Sequence, residues 1–198
     1  MLNTIRKANQ TWRPIKALVY ATKGWGKTTF ASTFANPILI PVEDGASAVE
    51  INSFPLCQTF QDVVDCITAL HGEHDFKTVV LDSADWLEPL VWQATCDANG
   101  WASIEKPGYG RGYVEADKLW RMFIGGLDSL RANKNMDVVI LAHSEVKRVE
   151  PPETDPFDKY MMRLHKRAFA MFQEYSDLVL FGNYKISVHK SEEGFGQE

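Results

Sequence analysis

Five short apolar runs punctuate the chain: "IKALVYA" (15–21), "ILIPVE" (38–43), "KTVVLD" (77–82), "DVVILAH" (137–143) and "DLVLFG" (177–182). Runs of this length with little polar alternation predict strands buried on both faces. Pro41 inside the second run points to an edge position. Between the runs the apolar spacing changes to a helical period. "GKTTFASTFAN" reads as a helix stopped by Asn36-Pro37. Thr59 caps a second helix with Phe60, Val63, Val64, Ile67 and Leu70 on one side and Gly72 at its end. "WLEPLVWQATCDANG" predicts a third, with Pro89 near its first turn and Gly100 closing it. A long fourth helix runs from about Val114 to Asn133, its apolar side formed by Leu119, Trp120, Phe123, Leu127 and Leu130, and "HKRAFAMFQEYS" is a fifth. "WASIEKPGYGRGY" (101–113) and the Pro-rich acidic "PPETDPFD" (151–158) read as irregular. Strands alternating with helices predict an α/β fold, a mostly parallel central sheet with helices on both faces. The alternation is unbroken from 15 to 182, so residues 1–198 are expected to form a single core. Residues 1–13 read as a flexible arm, and 183–198 as the start of a C-terminal extension.

The balance of 21 basic against 26 acidic residues, a net charge of −5, disfavours coating of nucleic acid by overall charge and leaves room for a local basic groove. Cys57, Cys66 and Cys96 form no C-x-x-C and lie apart in sequence, which suggests reduced, buried thiols and a cytoplasmic setting. The N-terminus has no apolar signal core, and no run approaches the roughly 20 residues of a membrane span.

Candidate chemistry begins at "ATKGWGKTTF" (21–30), close to the phosphate-loop pattern G-x-x-x-x-G-K-[ST] but with Ala21 at the first glycine. A methyl group is tolerated there if φ stays negative. The alternative is a structural glycine turn, but the loop follows a strand and opens a helix, as phosphate binding requires. The expected cradle is Thr22, Lys23, Gly24, Trp25, Gly26, Lys27, Thr28 and Thr29. Lys27 reaches the β- and γ-phosphates from an exposed position, and Thr28 offers a hydroxyl to Mg²⁺. Lys23, one place off the signature lysine of some NTPases, points to solvent. Asp82, ending a buried strand, would hold Mg²⁺. In "PVEDGAS", Glu43 or Asp44 could polarise the attacking water, with Glu43 preferred; solvated acids in an Asp-Gly turn are the alternative. His143 could sense the γ-phosphate or simply end its strand. Lys106, Tyr109, Arg111 and Tyr113, with Lys147 and Arg148, mix aromatic and basic side chains as single-strand binders do, or form a solvated face. Arg163, His165, Lys166 and Arg167 add a further basic cluster.

In that order, "ATKGWGKTTFA", "PVEDG", "VVLDSADWLEPLVW", "GYGRGY", "VVILAHSEVKR" and "LHKRAFAMFQEYSDLVLFGNYK" resemble the RecA-like phage nucleotide-binding proteins, which include the Sak-type single-strand annealing ATPases. The resemblance covers about residues 14–190. It implies a RecA-like P-loop NTPase, with the His143 strand between the loop strand and the Asp82 strand. It assigns phosphate and Mg²⁺ contacts to Gly24, Gly26, Lys27, Thr28 and Asp82, and an acidic catalytic residue to Glu43. His143 stands where RecA itself usually has glutamine. The two DNA-binding loops of RecA fall at Trp101–Tyr113 and Glu145–Lys159. The implied function is ATP binding and Mg²⁺-dependent hydrolysis in phage single-stranded DNA recombination or annealing, in the host cytoplasm. Its partners would be single-stranded DNA, further copies of the chain and a single-strand DNA-binding protein, with no membrane. Alternatives are a nucleotide-gated binding module without turnover and, less well supported because the acidic loop has the wrong sign for a lid, a small-molecule kinase.

Overall fold

The structure is a computed structural model that describes residues 13–45 and 49–185. The proposed N-terminal arm, apart from Arg13, and residues 186–198 of the proposed extension lie outside the described residues. In chain order the elements are β1 (Lys16–Ala21), α1 (Lys27–Ser32), β2 (Pro37–Pro41), β3 (Asn52–Ser53), α2 (Phe60–Ala69), β4 (Thr78–Asp82), α3 (Ala84–Asn99), α4 (Arg111–Lys134), β5 (Asp137–Val149), β6 (Phe157–Met162), α5 (Lys166–Tyr175) and β7 (Leu178–Gly182). All seven strands join one sheet in the order β3-β2-β4-β5-β1-β7, with β6 paired to the far part of β5. Every pairing on that path is parallel, and only β5–β6 is antiparallel. The fold is α/β, and β5, the His143 strand, lies between β1 and β4 as expected.

The central strands are apolar throughout because both of their faces are covered. Leu18, Ile40, Leu81 and Ile140 face the larger core, which takes in Phe60, Leu87, Trp120 and Phe172 from α2, α3, α4 and α5. Val19, Leu39, Val80, Val139 and Leu141 face the other way, under Ala31 and Phe30 of the short α1. Trp120 and Phe172 meet edge to face at 5.1 Å, a geometry that adds to their area burial. Thr59 caps α2 reciprocally with Asp62.

Four differences from the sequence reading have local causes. β2 stops at Pro41, and β3 pairs only with Ile38 and Leu39, so the sheet ends beside Pro41 and its missing N–H breaks no ladder. β3, two residues long, and β6 carry too little apolar pattern to be read as strands. Where the second DNA-binding loop was expected, β5 continues to Val149 and folds back on β6 as a hairpin, leaving 150–156 to connect them. α4 begins at Arg111, so Arg111 and Tyr113 belong to a helix and not to the irregular stretch.

All three cysteines are free and buried. Cys57 and Cys66, apart in sequence, bring their Sγ atoms to 3.8 Å.

Candidate functional site

Parallel strands put their C-terminal ends on one side of the sheet, and ligands of open α/β folds gather there. Register aligns those ends here. Ala21 pairs with His143 across β1 and β5. Asp82 pairs with Pro41 on one side and Leu141 on the other. Beyond Pro41 the chain stays beside β4, because Val42 and Glu43 both donate N–H bonds to the Asp82 carbonyl, at 2.7 and 3.3 Å. The loop after β1, Glu43, Asp82 and His143 thus converge.

The loop has the backbone its glycines predict. Gly24 and Gly26 sit at φ +81° and +96°, where a side chain is strained. Ala21 is fully buried and is not among the described residues with positive φ. Gly26 opens α1 with no side-chain cap, so the first N–H groups of the turn remain available to an anion. Trp25 packs across Gly182 of β7, where a Cβ would come within 2.5 Å of the indole. The Tyr184 hydroxyl donates to the Gly24 carbonyl at 2.5 Å. Lys23 is exposed, as expected.

Lys27 is not exposed. It is 7% accessible, and its burial lowers its pKa against the opposing pull of Glu43, Asp82 and Asp85. The neighbouring carboxylates make a buried ammonium tolerable. The Thr28 hydroxyl donates to Asp82 Oδ2 at 2.6 Å, while the buried Oδ1 of Asp82 has no partner. A hydroxyl joined to a carboxylate that keeps one acceptor free is a donor set suited to Mg²⁺, which takes few protein oxygens and completes its shell with water and phosphate.

Glu43 is half-buried and Asp44 exposed. Burial pushes the Glu43 carboxyl up to about 7, with His143 opposing and Asp82 reinforcing the shift. His143 Nε2 lies 3.9 Å from Glu43 Oε1. On its other side the His143 ring meets Asp85, with Nδ1 at 3.1 Å from Oδ2. Sequence reasoning missed Asp85. It is 8% accessible and also accepts bonds from the His143 backbone N–H at 2.9 Å and from Arg163 Nε and Nη2 at 3.1 and 2.5 Å. Burial raises its pKa, but the His143 and Arg163 donors outweigh burial and hold it well below the usual carboxylate range. Three residues along α3, the buried Glu88 carboxylate accepts the His165 N–H at 3.0 Å. Two acids at i and i+3 on an otherwise apolar helix face were the available signal.

A cavity of about 760 Å³ opens between these groups, lined by Lys23, Gly24, Gly26, Lys27, Thr28, Thr29, Glu43, Asp44 and His143, with Val42, Leu56 and Trp86 as its apolar wall. Its size suits a nucleotide.

The expected nucleic-acid residues do not form one surface. Lys106 and Arg111 are exposed, and Tyr109 is fully so. Tyr113 is committed elsewhere: its ring stacks on His165 at 4.0 Å and its hydroxyl bonds Glu105, so it is not free to stack on a base. Arg163 and Arg167 are likewise engaged, by Asp85 and Asp117. Lys147 and Arg148 are exposed on the β5–β6 hairpin, with Lys147 at 2.7 Å from Glu145.

A family model described as an AAA domain matches residues 13–197. The chain belongs to the AAA domain family. No curated protein sequence matches it. The fold of this AAA domain is similar to that of the crystal structure of the RadB recombinase, at 15% identity and a TM-score of 0.50, over 86% of this chain and 75% of that one. The AAA domain is therefore a P-loop NTPase of RecA-like fold, a nucleotide-binding class. Among its described residues no helix is long and apolar enough to cross a membrane.

Proposed function

We propose that the chain binds ATP with Mg²⁺, hydrolyses it slowly, and uses that cycle on single-stranded DNA in phage recombination or annealing. The observation that carries the nucleotide part is the Thr28–Asp82 pair with its unpartnered buried carboxylate oxygen, next to the cavity that Lys27 and Thr28 line. Gly24, Gly26 and the start of α1 present backbone N–H groups to the phosphates, and Lys27 neutralises them. Thr28 and Asp82 would hold Mg²⁺, which when bound supplies positive charge against the developing charge of the transferred phosphoryl group. Glu43 would accept the proton of the attacking water, and His143 would act beside it.

A Glu43 carboxyl pushed up to about 7 suits a general base working near neutral pH, ionised in part and basic enough to take a proton from water. A nucleotide-gated module without turnover is the alternative outcome. The DNA part rests on the resemblance to the Sak-type annealing ATPases and on the exposed Lys106, Arg111, Lys147 and Arg148. With a net charge of −5, useful affinity for DNA would need several copies side by side along the strand, in the host cytoplasm and in company with a single-strand DNA-binding protein. Phosphate release measured with and without single-stranded DNA tests the proposal. The expected result is slow release that DNA accelerates, and that Glu43→Gln abolishes while ATP stays bound. Binding without release by the wild-type chain would favour the gated module, and no effect of DNA would remove the recombination reading.

A further inference from the structure

We propose that Asp85 is a positioning residue: it fixes the neutral form of His143 as the tautomer protonated on Nδ1, so that in that form the Nε2 lone pair, and not an N–H, faces Glu43 and the cavity. Ser83 Oγ, the His143 backbone N–H and Arg163 Nε and Nη2 already donate to the Asp85 carboxylate. A carboxylate so placed is acceptor-only and can take the imidazole Nδ1 solely as a further donor. Nδ1 lies 3.3 and 3.1 Å from its two oxygens, within reach of both. Because the same carboxylate also holds the His143 main-chain N–H, ring and backbone are fixed together and the ring cannot flip without breaking the set.

The consequence is specific. A neutral imidazole has one N–H. With that proton on Nδ1, Nε2 accepts, 3.9 Å from Glu43 Oε1. His143 then meets the reaction as an acceptor that helps orient a water or the Glu43 carboxyl, unlike a side-chain amide, which also offers a donor from the same place. Arg163 ties this arrangement to the hairpin, since it follows β6 directly and its own backbone N–H bonds the His143 carbonyl at 2.8 Å. The hydrogen bonds of Asp85 go to Ser83, His143 and Arg163, and His143 is the one of these that lines the cavity.

The tautomer is a property of the protein alone, so its test does not depend on turnover, whereas the kinetic test rests on the hydrolysis reading above. The full chain labelled with ¹⁵N-histidine carries five histidines, and His143→Gln identifies the His143 signals by their loss. In the unprotonated imidazole of the wild-type chain, Nδ1 should carry the proton and Nε2 should show the shift of a bare ring nitrogen. Asp85→Asn should move the population toward Nε2–H. A wild-type His143 protonated on Nε2 overturns the proposal outright, even if the variant fails to fold. In kinetics, Asp85→Asn should lower kcat roughly tenfold or more with the KM for ATP changed less than about threefold, and the same substitution in a His143→Gln background should change kcat less than about twofold. Equal losses in both backgrounds would mean that Asp85 merely holds the fold, and would also overturn it. Absence of turnover in the wild type would count against the hydrolysis reading, and the nitrogen shifts would still decide the tautomer.

Discussion

Ala21 ends β1 and opens the loop, and its place in the strand calls for no glycine. Its backbone pairs with β5 and β7, and its methyl group is fully buried. Ala21→Gly should therefore not tighten nucleotide binding and should cost about 0.5–1 kcal/mol of stability through chain entropy, read by denaturant unfolding. Gly26→Ala should cost more, about 1–2 kcal/mol, because φ is +96° while the nearest atoms to a new Cβ are an ordinary 3.9 Å away. Equal effects of the two would contradict the assignment of backbone roles. Glu88 gives a pH prediction. Burial raises its carboxyl from 4.5 to about 7, so the folded state binds a proton more tightly than the unfolded chain does. Its contribution to stability is then fully present below about pH 4.5 and is lost as pH rises toward about 7. Glu88→Gln should flatten that decline and raise stability at pH 8 by about 1–3 kcal/mol, while leaving untouched the loss on acidification below the ordinary carboxylate range that Asp85, shifted the opposite way, produces. An unchanged stability profile from pH 4.5 to 8 would show that Glu88 is not the group responsible.

The long apolar strands and the periodic helices were legible because burial on two faces, or on one stripe, leaves a pattern in the sequence. β6 left none: its Phe157, Asp158, Lys159 and Tyr160 are exposed, and it is a strand because β5 runs on to meet it. The glycine-rich loop and the helix it opens were legible from local spacing alone. Asp85 and Arg163 were not, because they lie 78 residues apart and only the β5–β6 hairpin brings them together. The burial of Lys27 was missed for a related reason, since the carboxylates that make it tolerable come from three separate parts of the chain. In the hairpin, Lys147 sits directly opposite Lys159, a like-charge pair that destabilises a two-stranded ribbon. Lys159→Glu should stabilise the fold by about 0.2–1 kcal/mol and at the same time weaken single-stranded DNA binding and flatten its salt dependence. Replacing Lys106 and Arg111 together with alanine tests the other basic segment in the same titration. If Lys159→Glu leaves both DNA affinity and salt slope unchanged while the double variant reduces them, the binding surface is the α4 end and not the hairpin.

At the scale of the whole molecule, the sheet order makes the site. With β5 between β1 and β4, the phosphate loop, His143 and Asp82 occupy adjacent strand ends, and β2 brings Glu43 to the outer side of Asp82. Among the described residues four helices pack on one face and the short α1 on the other, so the loop that α1 opens rests on a thin layer in which Phe30 meets Trp25 at a tilt and Phe34 edge to face. A ligand that bridges α1 and β4 should bind only the native state and raise its apparent stability. The central claim is that this cavity takes ATP through Lys27 and Mg²⁺ through Thr28 and Asp82. Calorimetric titration of ATP into the wild-type chain and into Lys27→Ala, each with and without Mg²⁺, tests it most directly. The account predicts one nucleotide per chain, tighter binding with Mg²⁺, and loss of binding in Lys27→Ala even where that variant remains folded. ATP affinity indifferent to both Mg²⁺ and Lys27 would contradict it.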